Sequence, residues 1–251
     1  MNFSGVSDKT IFGRALRFPL RLIPSNTQIP ILQGPLRGKR WIAGSSNHGC
    51  WLGSYEYAKK KAFAAAIKRG YSVYDLGANV GFYSLLASVL VGTEGRVFSF
   101  EPVPRNLKFL RRHFELNGLT NCSVWEVAVG RSEGTAHFDV GPNHSMGHLT
   151  VESQGTSISV RTVALDSLVA AGKLPPPNLI KCDIEGGEYD ALLGASDVLS
   201  KHGPTIFLAT HGPEVHQRCC RFLADLHYRL TPLDELPLDQ TSEILAIRQE
   251  V

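Results

Sequence analysis

Residues 73–84 read Val73-Tyr74-Asp75-Leu76-Gly77-Ala78-Asn79-Val80-Gly81-Phe82-Tyr83-Ser84. An apolar run, a turn with two glycines four apart and a second apolar run leave such a segment few choices. It reads as a buried strand that bends sharply into a helix, because glycine takes the positive-φ conformations of such a turn without a Cβ penalty. The helix start behind the turn offers N–H groups that have no partner within the helix and can meet a ligand. A strand that feeds a helix in this way is the repeating unit of a parallel sheet.

The rest of the chain alternates in the same manner. Residues 72–76, 96–100, 122–129, 179–184 and 205–209 have strand character, and helical patterns cover 82–90, 104–117, 189–199 and 214–227. Pro104 opens one helix and an Asn-Gly pair closes it. Residues 135–140 and 158–165 predict a β-insertion around the polar loop 141–155, followed by a short helix over 166–171. Strands at 228–232 and 243–248 follow one another with no helix between them, so they should pair as an antiparallel hairpin. Ahead of the sheet, 37–42 predicts a strand and 53–69 a helix with Ala58, Ala62, Phe63, Ala66 and Ile67 on one face. The fold class is therefore a doubly wound α/β sheet with a terminal hairpin, an N-terminal arm and a β-insertion after the third strand. Residues 1–52 are assigned to the arm and a substrate lid, and 53–251 to the ligand-binding domain.

Charge is uneven. Lys9, Arg14, Arg17, Arg21, Arg37, Lys39 and Arg40 stand against Asp8 alone in residues 1–40, although the 251-residue chain carries only +3 overall. Apolar groups interleave the basic ones between Lys9 and Leu22. Such an arm packs on the domain, or less favourably lies on a membrane surface. No apolar run reaches transmembrane length, and the N-terminus lacks a signal-peptide pattern. Cys50, Cys122, Cys182, Cys219 and Cys220 form no C-x-x-C pair, which fits reduced thiols and a cytoplasmic location. No nucleic-acid partner is expected.

Glu101 follows the apolar run Val97-Phe98-Ser99-Phe100, about twenty residues past Gly81. A carboxylate there is placed to take ribose hydroxyls. The glycine spacing G-x-x-x-G departs from the dinucleotide pattern and favours a nucleoside ligand without pyrophosphate, of which S-adenosylmethionine is the commonest. Its contacts are assigned to Asp75, Gly77, Asn79, Gly81, Phe82, Tyr83, Ser84, Glu101, Pro102, Asn106, Glu126, Ala128 and Asp183. Several have a second reading: Asp75 as a turn cap, Asn79 as a turn former, Tyr83 as core, Glu126 as a solvent-facing strand residue. Lys181-Cys182-Asp183-Ile184-Glu185-Gly186-Gly187-Glu188 closes the fourth strand and gathers three carboxylates at the edge where open α/β sheets bind ligands. Asp183, Glu185 and His211 are the candidate catalytic residues, with His211 favoured as base and Asp183 as the alternative. Glu185 and Glu188 read equally as caps on the following helix. Trp51, Tyr55, Glu56, His144 and His148 are assigned to the acceptor. The His144–His148 spacing invites a metal reading, but no partner cluster in the sequence supports one, so no metal is expected.

The ordered set of motifs resembles the FkbM family of S-adenosylmethionine-dependent methyltransferases. It runs from Asp75-Leu76-Gly77-Ala78-Asn79-Val80-Gly81 through Phe100-Glu101-Pro102-x-Pro104-x-Asn106, Ala128-Val129-Gly130 and Leu165-Asp166-x-Leu168 to the Asp183 cluster. The resemblance implies a seven-stranded Rossmann-like methyltransferase sheet and O-methylation of a hydroxyl on a sugar or secondary metabolite, with a small molecule or glycan as acceptor. It says least about residues 41–56. Aromatic faces at Trp51, Tyr55 or Tyr83 suit a sulfonium. A dehydrogenase is disfavoured by the missing third glycine, and a non-catalytic cofactor-binding protein by the intact Asp183 cluster.

Overall fold

The computed structural model describes residues 20, 22–139, 148–150 and 157–249, with 138–139, 148–150 and 157 given by backbone alone. Residues 1–19, most of the basic arm, therefore lie outside the described residues. Strands β1 (Gln28–Pro30) and β2 (Arg40–Ile42) pair antiparallel, and only β2 falls within a predicted strand. A separate short helix, α1 (Gly49–Leu52), ends where Gly53 turns left-handed at φ 77°, and the helix expected over 53–69 follows as α2 (Tyr57–Ala66), shorter at both ends. Of the predicted face, Phe63 is buried and Ala62, Ala66 and Ile67 pack against the core, but Ala58 is exposed, and Lys59 and Lys60 are buried as well.

The core units follow in order: β3 (Ser72–Leu76), α3 (Phe82–Val91), β4 (Arg96–Phe100), α4 (Pro104–Leu116) and β5 (Cys122–Trp125). The predicted strand over 122–129 breaks at Glu126. Beyond the break, β6 (Ala128–Val129) joins a second sheet with β7 (Gly134–Asp139), β8 (His148–Thr150) and β9 (Ser157–Val163), in the order β6-β9-β7-β8. This is the β-insertion. Helix α5 (Leu165–Ala170) leads to β10 (Leu179–Cys182). The long helix expected over 189–199 is α6 (Glu188–Leu193) and α7 (Ser196–His202). Strand β11 (Thr205–Ala209), helix α8 (Pro213–Asp225) and the hairpin β12 (Tyr228–Pro232) and β13 (Glu243–Arg248) complete the chain as the pattern predicts.

Seven strands form the main sheet in the order β12-β13-β11-β10-β3-β4-β5, parallel except for β13. Both faces are covered, which is why all five residues of β3 are buried. Alternate side chains feed opposite layers. Tyr74, Ile180 and Ile206 pack with Leu192, Leu199 and Leu223 on one face. Val73, Leu179 and Phe207 pack with Phe63, Leu85 and Leu86 on the other. That second cluster also contains Ile31, Leu36, Trp41 and Trp51, so the apolar core runs across residue 52 rather than stopping there. From β3 the chain steps outward to β4 and β5, then returns to β10 on the other side of β3. A crevice opens where strand order reverses in this way, at the carboxyl ends of β3 and β10.

Candidate active site

Gly77 sits at that crevice with φ +74°, and a Cβ there would lie 2.0 Å from the carbonyl oxygen of Asp183. No other residue fits, since the loops after β3 and β10 touch at this point. The Gly77 and Ala78 N–H groups both donate to the Phe100 carbonyl, at 3.0 and 2.9 Å, and draw the turn onto β4. Asn79 is left-handed at φ 51° and donates its N–H to Glu101 Oε2 at 2.8 Å. Glu101 Oε1 accepts from Val103 N–H at 2.9 Å and from Asn106 Nδ2 at 3.2 Å. Burial pushes the Glu101 carboxyl above its ordinary value, against the pull of these three donors.

Strand register places a polar row beneath this floor. Lys181 pairs with Asp75, and Asp75 with Ser99, all on the face covered by α3. Ser99 Oγ donates to Ser84 Oγ at 2.7 Å, and Ser84 Oγ donates to Asp75 Oδ2 at 2.6 Å. Lys181 Nζ donates to the Gly77 carbonyl at 3.0 Å and stands 3.5 Å from Asp75 Oδ1. Asp75 and Ser84 are buried supports of the floor rather than part of its surface. Gly81 is a support as well, since a Cβ there would lie 2.5 Å from Leu110 Cδ1.

At the other end of the crevice, charge is concentrated. Lys59 Nζ reaches Glu243 at 2.8 Å, Asp183 at 3.5 Å and Glu56 at 3.6 Å. Lys181 Nζ adds a second cation 3.6 Å from Asp183 Oδ2. Burial would raise the Asp183 carboxyl, but Lys181, Lys59 and His211 outweigh it and hold it down at about 2. His211 Nε2 lies 3.3 Å from Glu185 Oε2 and 3.8 Å from Asp183 Oδ1, while Nδ1 lies 2.8 Å from Glu188 Oε1. The hydrogen bond to Glu188 raises the imidazole above its ordinary value, with Glu185 and Asp183 adding to it and partial burial opposing. Tyr83 Oη donates to Glu56 Oε2 at 2.7 Å.

The two ends share one cavity of about 770 Å³. Its walls take in the predicted Gly77, Asn79, Phe82, Tyr83, Glu101, Pro102 and Asn106, then Ala128, Asp183, Glu185 and His211, and from the segment assigned to the acceptor Tyr55 and Glu56. Besides the supports Asp75, Gly81 and Ser84, two further predicted residues do not line it. Glu126 stands at the break after β5 and pairs with Arg111 at the surface, because the chain leaves the sheet there. Trp51 is buried in the core and donates Nε1–H to His48 Nδ1 at 3.3 Å, so it packs instead of facing an acceptor. His144 lies outside the described residues, and His148 is described by backbone alone.

A model of the methyltransferase FkbM domain matches residues 75–230, more than half of the chain. The chain belongs to this family. The hexuronic acid methyltransferase AglP of Haloferax volcanii is 30% identical over 127 residues, covering 51% of this chain and 51% of that protein. Methyltransferase 1 of Beauveria bassiana is 23% identical over 147 residues, covering 50% of this chain and 58% of that protein. The chain thus spans about half the length of the curated relatives it matches. The crystal structure of the FkbM methyltransferase from Methylobacillus flagellatus KT superposes with a TM-score of 0.51 at 21% identity, over 70% of this chain and 43% of that one, and shows the shared fold.

S-adenosylmethionine is the cofactor of this FkbM chain, and the residues present fit it. A carboxylate offers about four acceptor positions; three on Glu101 are taken by Asn79, Val103 and Asn106, which leaves one for a ribose hydroxyl. Ala128 and Phe100 line the same cavity and would hold the adenine. The carboxylates gathered around Lys59 suit the positive methionine end. Four residues outside the predicted set shape the site: Lys59, Lys181, Glu188 and Glu243. Three lysines in a row at 59–61 resemble a solvated face, and nothing in the local pattern reveals that Lys59 turns inward. Lys181 and Glu188 lie within the Asp183 motif, where the neighbouring carboxylates Asp183 and Glu185 dominate the pattern.

Proposed function

We propose that this chain transfers a methyl group from S-adenosylmethionine to a hydroxyl on a sugar or secondary metabolite. One observation carries the reading: His211 Nε2 stands at the carboxyl edge of the sheet, 3.3 and 3.8 Å from two carboxylates that line the same cavity as Glu101. The bound cofactor supplies a methyl group already activated by its sulfonium. The chain must hold the acceptor oxygen in line and receive its proton. Asp183, kept ionised by Lys59 and Lys181, accepts a hydrogen bond from the acceptor and orients it. Glu185 accepts from a neighbouring hydroxyl. His211 Nε2 takes the proton as the oxygen–carbon bond forms, since an alkyl hydroxyl is too weak an acid to lose it beforehand. Tyr55 and Tyr83 present aromatic surface to the cavity and help exclude water. The sugar acceptor agrees with the hexuronic acid methyltransferase among the relatives.

The test is turnover of S-adenosylmethionine to S-adenosylhomocysteine with a panel of glycosides, polyols and phenols, the methylated product being located by mass spectrometry. Methyl on oxygen, with turnover lost in His211→Asn at unchanged cofactor affinity, is the expected result. Methylation on nitrogen or carbon, or full turnover in His211→Asn, would overturn the reading.

A further inference from the structure

Glu188 lies behind His211, away from the cavity, and is completely buried at the start of α6. A glutamate in the first turn of a helix ordinarily complements the helix dipole. Here it does more. Glu185 and Gly186 are both left-handed, at φ 58° and 103°. The loop after β10 therefore curls back over the Glu188 side chain. Glu188 Oε1 accepts from Gly186 N–H at 2.9 Å and from Ile184 N–H at 3.3 Å, and it meets His211 Nδ1 at 2.8 Å. A carboxylate oxygen only accepts, so Nδ1 must carry the proton that points at it. The lone pair of the neutral ring is then on Nε2, the nitrogen facing the cavity.

We infer that Glu188 is a positioning residue. It fixes His211 in the tautomer that leaves Nε2 free, and it balances the charge of the imidazolium formed when His211 takes the acceptor proton. The inference rests on the proposed role of His211 as base. The other charged groups facing the ring are Asp183 and Glu185, from the end of β10 and its loop, and both address Nε2 from the cavity side, where an acceptor would enter. Lys59 and Glu243, from α2 and β13, reach Asp183 and one another instead of the ring. Among the described residues, only Glu188 acts on Nδ1. The proton path is balanced: the hydroxyl proton goes to Nε2, Nδ1 keeps its own, and Glu188 stays a carboxylate.

The experiment compares wild type, Glu188→Gln and Glu188→Asp. The His211 ring resonance, assigned by its loss in His211→Asn, is followed against pH by NMR with no acceptor present. An opposite charge this close shifts an imidazole by about one to three units. The His211 midpoint should therefore fall by about one unit or more in Glu188→Gln and by less in Glu188→Asp, which keeps the charge on a shorter arm. With an acceptor in hand, wild-type turnover should rise with pH through a midpoint above 6.5. In Glu188→Gln that limb should move to lower pH by the same amount, and the plateau should fall about tenfold as the base weakens. A glutamate that merely held the loop would lower turnover equally at every pH and leave the limb in place. An unmoved NMR midpoint in Glu188→Gln overturns the inference. If that variant does not fold, an unmoved midpoint in Glu188→Asp overturns it. A shifted midpoint supports the inference even where no hydroxyl is methylated, and in that case only the proposed function fails.

Discussion

Replacing Glu101 by Gln isolates the cofactor contribution of one oxygen. The wild-type carboxylate already accepts three hydrogen bonds, from Asn79 N–H, Val103 N–H and Asn106 Nδ2. One acceptor position remains for a ribose hydroxyl, although a carboxylate at a strand end suggests bonds to both hydroxyls. A hydrogen bond to a charged acceptor contributes about 1.5–3 kcal/mol, which corresponds to about a ten- to hundredfold change in dissociation constant. The glutamine amide would also point its NH₂ at a backbone N–H, on one side or the other. That leaves a buried donor unpaired and costs about 1–3 kcal/mol of stability. Affinity and stability must therefore be read separately: calorimetric titration with S-adenosylhomocysteine well below the melting temperature, and thermal unfolding of the free protein. Both should fall. A lowered melting temperature with unchanged affinity would show that Glu101 serves only to order the loop, and would remove it from the cofactor site.

Gly77→Ala should abolish cofactor binding and lower the melting temperature, because a left-handed non-glycine residue costs about 1–2 kcal/mol before any clash and the new Cβ would press on the Asp183 carbonyl; a variant as stable and as tight-binding as wild type would refute the close approach of the two loops. Trp51→Ala should lose about 3–5 kcal/mol in denaturant unfolding, as deletion of a buried aromatic does, with no change in relative acceptor use; altered acceptor preference at wild-type stability would return Trp51 to the acceptor wall. Among the described residues, Asp183, Glu185 and His211 bring three ligand atoms within 4.8 Å of one another. Turnover should nonetheless survive chelation, because the Lys59 and Lys181 ammonium groups at 3.5 and 3.6 Å already neutralise Asp183. Loss of turnover on chelation, restored by magnesium, manganese or zinc, would make these three residues metal ligands.

What the sequence reveals depends on how local the cause is. Strand β11 and the terminal hairpin match their predicted limits because apolar runs bounded by turns leave no alternative. Gly77 and Glu101 were legible because a tight turn and a carboxylate at a strand end are local devices. Strand β5 ends earlier than the pattern predicts, since Val124-Trp125-Glu126-Val127 keeps its alternation while the chain passes from one sheet to another. Period-two patterning marks extended backbone without naming the neighbour that pairs with it. Trp51 failed in a similar way: an aromatic residue near glycines suits a lid or a core, and only packing against Ile31, Leu36 and Phe63 decides. Glu188 reads as a helix cap because that role is local, whereas its bond to His211 joins residues 23 apart in sequence.

The charge at the crevice ties the site to the fold that carries it. Lys59 belongs to α2, Asp183 follows β10 and Glu243 opens β13, so one ammonium group links the helix ahead of the sheet, its centre and its terminal hairpin. Burial would drive this lysine towards its neutral form, but Asp183, Glu56 and Glu243 together keep it charged. Lys181 does the same from inside the sheet, bracing Asp75 below the floor and Asp183 above it. Breaking a buried ion pair by removing one partner costs about 3–5 kcal/mol, since the remaining charge is stranded. Lys59, one of the groups that hold Asp183 ionised, thus also ties α2 to the terminal hairpin. Lys59 and Glu243 lie outside every motif and outside the matched residues 75–230, yet in this chain they set the charge around Asp183 as directly as Lys181 does.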